Sequence, residues 1–162
     1  MYKIGIIGPE SSGKSTLAKY LAKRYHGLYV PEYAREYVER KGTTEVTYDE
    51  LCSIARHQIE QMELTVNSQK SIAVFDTELI VTKVWFDYAF QTVPEWLEEA
   101  IKNYPMDVYL LTYPDLPWIA DSARSNGFDA IRKELYDRYE AEIQALDIPY
   151  YIIRHEIIHS AA

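Results

Sequence analysis

Gly8-Pro9-Glu10-Ser11-Ser12-Gly13-Lys14-Ser15-Thr16 sets two glycines, a lysine and a hydroxyl at the spacing G-x-x-x-x-G-K-[ST]. Phosphate chemistry needs that spacing. The glycines let the backbone wrap an anion, and consecutive N–H groups at a helix N-terminus supply partial positive charge. Lys14 would reach the β- and γ-phosphates, and the Ser15 hydroxyl would hold Mg²⁺. Gly8, Glu10, Ser11, Ser12, Gly13, Lys14, Ser15 and Thr16 are therefore the expected nucleotide-binding residues, with ATP and Mg²⁺ as cofactors. The competing reading is a glycine-bearing strand–helix turn. It is weakened because the motif follows an apolar run and opens a helical stripe. GTP-specific switches usually carry an Asn/Thr-Lys-x-Asp motif after a later strand. This chain has Thr112-Tyr113-Pro114-Asp115 there, which argues against a GTPase.

Asp76 ends the apolar run Ser71–Phe75, where a second metal-shell carboxylate belongs. With Ser15 it forms the expected metal pair; the competing reading is a helix N-cap. Glu32, after Leu28-Tyr29-Val30, is the rival candidate for a general base, against a surface carboxylate paired with Arg35. Glu78 is a third carboxylate within reach. The proline-bounded stretch 114–127 reads as a lid carrying Arg124, which would stabilise charge on the moving phosphoryl group on closure. Arg132 is a second candidate for that role. With 15 Tyr and 3 Trp, aromatic content alone singles out no stacking residue. His155-Glu156-Ile157-Ile158-His159 spells H-E-x-x-H, but directly after a strand and not within a helix, so the match is read as accidental.

Elements must bring these groups together. Residues 2–7 read as a buried strand, and Leu17, Ala18, Leu21, Ala22 and Tyr25 as one face of a helix stopped at Gly27. Leu28–Val30 is a second strand. Thr47 with Glu50 is a capping box opening a long amphipathic helix through Val66. Strands over 71–75, 107–113 and 150–153 alternate with helices over 79–90, from Pro94 in a first turn, and from 128 to 146. Continuous apolar strands alternating with helices argue α/β architecture: a parallel sheet covered on both faces.

The chain has 162 residues, 48% hydrophobic and 26% charged, which fits one globular domain over 1–162. Lys and Arg number 17 against 25 Asp and Glu, net −8, with no long basic run. That argues against a nucleic-acid partner. No apolar stretch nears the roughly 20 residues that cross a bilayer. One cysteine, Cys52, permits no internal disulfide. A cytoplasmic protein is expected.

With these residues assembled, the sequence resembles the ribosylnicotinamide kinase domain of NadR-type NAD-biosynthesis proteins, within an AAA-like P-loop kinase group. The resemblance rests on the phosphate loop, on Glu32-Tyr33-Ala34-Arg35-Glu36-Tyr37, on Phe75-Asp76-Thr77-Glu78, and on Trp118-x-x-Asp121-x-x-Arg124. It implies a P-loop fold with a five-stranded parallel sheet ordered 2-3-1-4-5, and ATP-dependent phosphorylation of the 5′-hydroxyl of nicotinamide riboside to nicotinamide mononucleotide. Lys14, Asp76, Glu32 and Arg124 would then be catalytic, and Glu32, Tyr33, Arg35, Trp118 and Asp121 would bind the nucleoside. A separate adenylyltransferase is an expected partner. Other readings remain: a kinase for another nucleoside or small metabolite, or a nucleotide-binding regulatory module. The chain departs from the family at Pro31, where an aromatic is usual, and at Asp121-Ser122-Ala123-Arg124, where Asp-Gly-x-Arg is usual.

Overall fold

The structure, a computed structural model, describes residues 1–117 and 129–155. In chain order the elements are β1 (Tyr2–Ile7), α1 (Lys14–Arg24), β2 (Leu28–Val30), α2 (Tyr33–Lys41), α3 (Tyr48–Val66), β3 (Ile72–Asp76), α4 (Leu79–Phe90), α5 (Glu95–Asn103), β4 (Val108–Thr112), α6 (Asp129–Leu146) and β5 (Tyr150–Ile153). The five strands form one sheet in the order β2-β3-β1-β4-β5, as expected. Every neighbouring pair is parallel.

Strand periodicity divides the core. Ile6 and Val74 face α1, where they pack with Leu17, Ala18 and Ala22. Ile7, Ala73, Phe75, Tyr109 and Leu111 face the other way, against α3, α4 and α6 through Ile54, Ile80, Leu135, Tyr139 and Ile143. With both faces covered, every second residue has no solvent side, which is why the strands read as unbroken apolar runs.

The helices differ from expectation in three places. The stop of α1 lies before Gly27: His26 takes the left-handed conformation at φ 53°, and the Gly27 N–H donates to the Ala22 carbonyl at 2.8 Å. Pro94 is the N-cap of α5 and lies outside its first turn. Helix α2 was not expected at all. Only Val38 is buried along it, so its apolar stripe is too thin to read. Ion pairs one turn apart support it, Arg35–Glu39 at 3.1 Å and Glu36–Arg40 at 4.0 Å, before left-handed Gly42 ends it. The capping box of α3 is complete, with Glu50 N–H donating to Thr47 Oγ1 at 3.2 Å and Thr47 N–H donating to Glu50 Oε2 at 2.8 Å.

Candidate active site

The parallel order sends the C-terminal ends of β1, β2, β3 and β4 to one edge of the sheet. The chain reverses direction across the sheet at β1, between β3 and β4, which is where ligands of open α/β sheets bind. The phosphate loop springs from that point. Gly8 lies so close to β4 that a Cβ there would stand 2.1 Å from Thr112 Oγ1 and 2.7 Å from its carbonyl. No other residue fits. Gly13, at φ 85°, is the N-cap of α1 and offers no side-chain cap, so the first-turn N–H groups are left for an anion. Ser12 is buried and braces the loop, donating to the Pro9 carbonyl and bonding Thr112 Oγ1, each at 2.6 Å.

A hollow of about 130 Å³ is lined by residues Glu10 through Thr16 together with Glu32 and Arg35. All the expected loop residues but Gly8 line it; Gly8 supports it from below. Lys14 Nζ is held over the loop by the Pro9 carbonyl at 2.9 Å. Burial pushes the Glu32 carboxyl above the ordinary carboxylate range; Lys14 and Arg35 oppose that shift, while Asp76 and Glu10 add to it. Four charged groups, Glu10, Lys14, Glu32 and Arg35, thus line one hollow, and the Asp76 charge is felt there without lining it.

Asp76 ends β3 almost fully buried. It is not the cap of α4, because Glu78 fills that place by accepting the Ile80 N–H at 3.0 Å. Tyr29 on the adjacent strand donates its hydroxyl to Asp76 Oδ2 at 3.0 Å, and Oδ1 has no hydrogen-bond partner among the described residues. A buried carboxylate oxygen left over beside a phosphate loop is the donor a hard divalent cation takes. The residues therefore fit Mg²⁺, with Asp76 and Ser15 as the side chains to hold it.

A second, larger cavity of about 260 Å³ shares Glu10, Glu32 and Arg35 with the first and runs between α2, α3 and α4. Its walls are mostly apolar, including Val38, Trp85 and Phe90, and Thr77 faces it. Thr77 is unusual on two counts. It is β-branched yet held at φ 70°, and its buried hydroxyl has no partner among the described residues.

Of the expected site residues, the structure brings Lys14, Glu32, Arg35 and the loop together. Tyr33 lines neither cavity: its ring stacks on His57 at 3.6 Å and its hydroxyl accepts from Arg40. Glu78 also lines neither cavity; it is the buried cap of α4. Arg132 is buried and reaches back to the loop carbonyls, so it is no lid arginine. Trp118, Asp121 and Arg124 lie outside the described residues, as does all of the H-E-x-x-H match but His155. Among the described residues no three His, Cys, Asp or Glu side chains group to hold a metal. Sequence reasoning missed Tyr29, Thr112, Thr77 and Trp85. Only Thr77 left a signal, its place between two carboxylates just past a buried strand.

Residues 3–159 match the AAA domain family. Across 94% of this chain and 38% of the relative, the sequence is 28% identical to the trifunctional NAD biosynthesis/regulator protein NadR of Escherichia coli strain K12. A NadR protein solved in complex with NR superposes with a TM-score of 0.76 at 23% identity, over 93% of this chain and 43% of that one. A NadR protein in complex with NAD and AMP-PNP gives 0.75 at 25% identity, over 99% of this chain and 47% of that one. The chain spans little more than a third of the length of the curated relative. Among the described residues no helix is long and apolar enough to cross a membrane.

Proposed function

The chain belongs to the AAA domain family, and on that premise we propose that it is an ATP-dependent kinase acting on the 5′-hydroxyl of nicotinamide riboside and giving nicotinamide mononucleotide. One observation carries the reading: a polar hollow built by the phosphate loop opens beside a larger apolar cavity, and Glu32 lines both. A donor phosphate and a ring-bearing acceptor fit those two spaces, and Glu32, which with Glu10 is one of two carboxylates lining both, lies where they meet. The likeness to a NadR protein bound to NR, and to another bound to AMP-PNP, supports the same pairing.

The chemistry follows from the residues. The N–H groups of the loop and the first turn of α1 take the phosphates, and Lys14 turns from the Pro9 carbonyl to the γ-phosphate. Ser15 and Asp76 would hold Mg²⁺, which would supply neutralisation of phosphate charge. Glu32 takes the proton from the acceptor hydroxyl as its oxygen bonds to the γ-phosphorus, and the bond to the ADP oxygen breaks with ADP keeping the electron pair. Burial makes Glu32 a stronger base than an exposed carboxylate, and the apolar walls exclude water that would compete as acceptor. Val38, Trp85 and Phe90 pack the acceptor ring, and a pyridinium ring is drawn both to aromatic faces and to Glu10 and Glu32. Arg124 is assigned to charge stabilisation on the transferred group. The chain would work in the cytoplasm, and its product is the substrate of an adenylyltransferase.

The test is direct. Purified protein with ATP and Mg²⁺ is offered nicotinamide riboside, adenosine, cytidine and deoxyadenosine in parallel, and products are separated by chromatography. Nicotinamide mononucleotide and ADP should form in equal amounts, faster than any other pair. A faster product from another nucleoside reassigns the acceptor; ATP hydrolysis with no phosphorylated product removes the kinase reading.

A further inference from the structure

Arg132 is fully buried, at 1% exposure, and among the described residues its charge has little to answer it. Among the described residues its one carboxylate partner, Asp129 at 3.3 Å, is itself 94% exposed. Its other hydrogen bonds among the described residues go to backbone carbonyls: Nε donates to Glu10 O at 3.1 Å, and Nη2 donates to Leu116 O at 2.7 Å and Ser11 O at 3.4 Å. Burying a guanidinium against neutral acceptors is costly when packing alone is at stake. The Glu10 and Ser11 carbonyls turn to Arg132, and in a trans peptide the N–H of the following residue points the opposite way.

We propose that Arg132 is the positioning residue of the phosphate loop: its guanidinium fork fixes the Glu10 and Ser11 peptides for phosphate binding and fastens them to both flanks of residues 118–128, at Leu116 and Asp129. Ser11 sits at φ 56°, a conformation that side chains resist, and the bond from Arg132 to its carbonyl helps hold it there. Nucleotide binding and the placement of the two flanks are thereby one event, carried by one side chain. The proposal rests on the phosphate-loop reading above.

The experiment compares wild type, Arg132→Lys, Arg132→Met and Lys14→Ala by calorimetric titration with ATP, with circular dichroism reporting the folded fraction. Arg132→Met should weaken ATP binding by about tenfold or more per folded molecule, and Arg132→Lys should recover only part of it, because a point charge cannot span three carbonyls. Hydrogen exchange on the wild type serves if the variants do not fold. ATP should raise protection of amides in 10–13, 115–116 and 129–132 together, by similar factors. Wild-type ATP affinity in folded Arg132→Met, with Lys14→Ala weakened, overturns the proposal and spares the phosphate loop. Protection gained in 10–13 alone also overturns it. Unchanged affinity in Lys14→Ala overturns the phosphate-loop reading itself.

Discussion

Tyr29 donates its hydroxyl to Asp76 Oδ2 across 3.0 Å from the neighbouring strand, and the other oxygen of that carboxylate has no partner among the described residues. The β2–β3 register places Tyr29 opposite Val74, two residues before Asp76 on the same face of the sheet. The bond therefore fixes which oxygen remains for a ligand. Burial, together with the Asp76 charge, pushes the Tyr29 hydroxyl far up, so it stays a donor at any working pH.

Tyr29→Phe should leave the buried carboxylate without either partner. The expected loss of stability is about 1–3 kcal/mol, the usual cost of an orphaned buried polar group. Half-maximal turnover should also need severalfold more Mg²⁺. Urea unfolding and a Mg²⁺ titration check the two parts separately; wild-type values in both would show that the bond does not orient Asp76.

Thr77→Gly should separate stability from function. Thr77 holds a left-handed conformation that costs a β-branched residue about 1–3 kcal/mol, and it buries a hydroxyl with no partner among the described residues. Removing both should raise the unfolding midpoint. The acceptor KM should rise while the KM for ATP stays put, because Thr77 lines the acceptor cavity and not the phosphate hollow. A less stable variant with an unchanged acceptor KM would count against both halves.

Glu32→Gln should cut kcat by about 10²–10⁴-fold, the usual share of a positioned base, with little change in ATP affinity. The base must be ionised, and burial raises its pKa. Wild-type kcat/KM should therefore climb with pH through a midpoint above the ordinary range for glutamate, and that limb should vanish in Glu32→Gln. A variant with normal turnover and the same limb would pass the base role to Asp76.

Glu78 gives a stability signature without a catalytic one. Burial pushes its pKa up to about 7, against the pull of the Ile80 and Leu79 N–H groups and the Tyr109 hydroxyl. The folded state thus holds a proton that the unfolded state releases near the ordinary value, so this group's contribution falls as pH rises from the usual glutamate range to about 7. Glu78→Gln carries no titrating proton there. Its stability relative to wild type should improve by about 2 kcal/mol between about pH 5.5 and about pH 8 in urea unfolding. A constant difference across that range would mean that Glu78 does not titrate there.

The sequence alone was enough for the phosphate loop, the five strands and all but one of the helices, because each is written locally. A loop that wraps phosphate needs Gly8 and Gly13 at fixed spacing, and a capping box needs Thr47 and Glu50 three apart. Strands covered on both faces read as apolar runs. Helix α2 escaped because it buries one side chain and is supported by ion pairs, which leave no hydrophobic period. The tertiary structure alone decided which polar groups share a space. The sequence favours Asp76 over Glu78 in Asp-Thr-Glu for the metal, but only the structure shows that Asp76 keeps an oxygen without a partner among the described residues while Glu78 spends its carboxylate on the N-terminus of α4. Arg132 reads as a second candidate for the lid arginine, yet it bonds the carbonyls of a loop more than a hundred residues away in sequence. Local spacing follows from helix and strand geometry and survives in the order of residues. Desolvation and pairing depend on what the other elements bring to the same place, and only the packed fold specifies that.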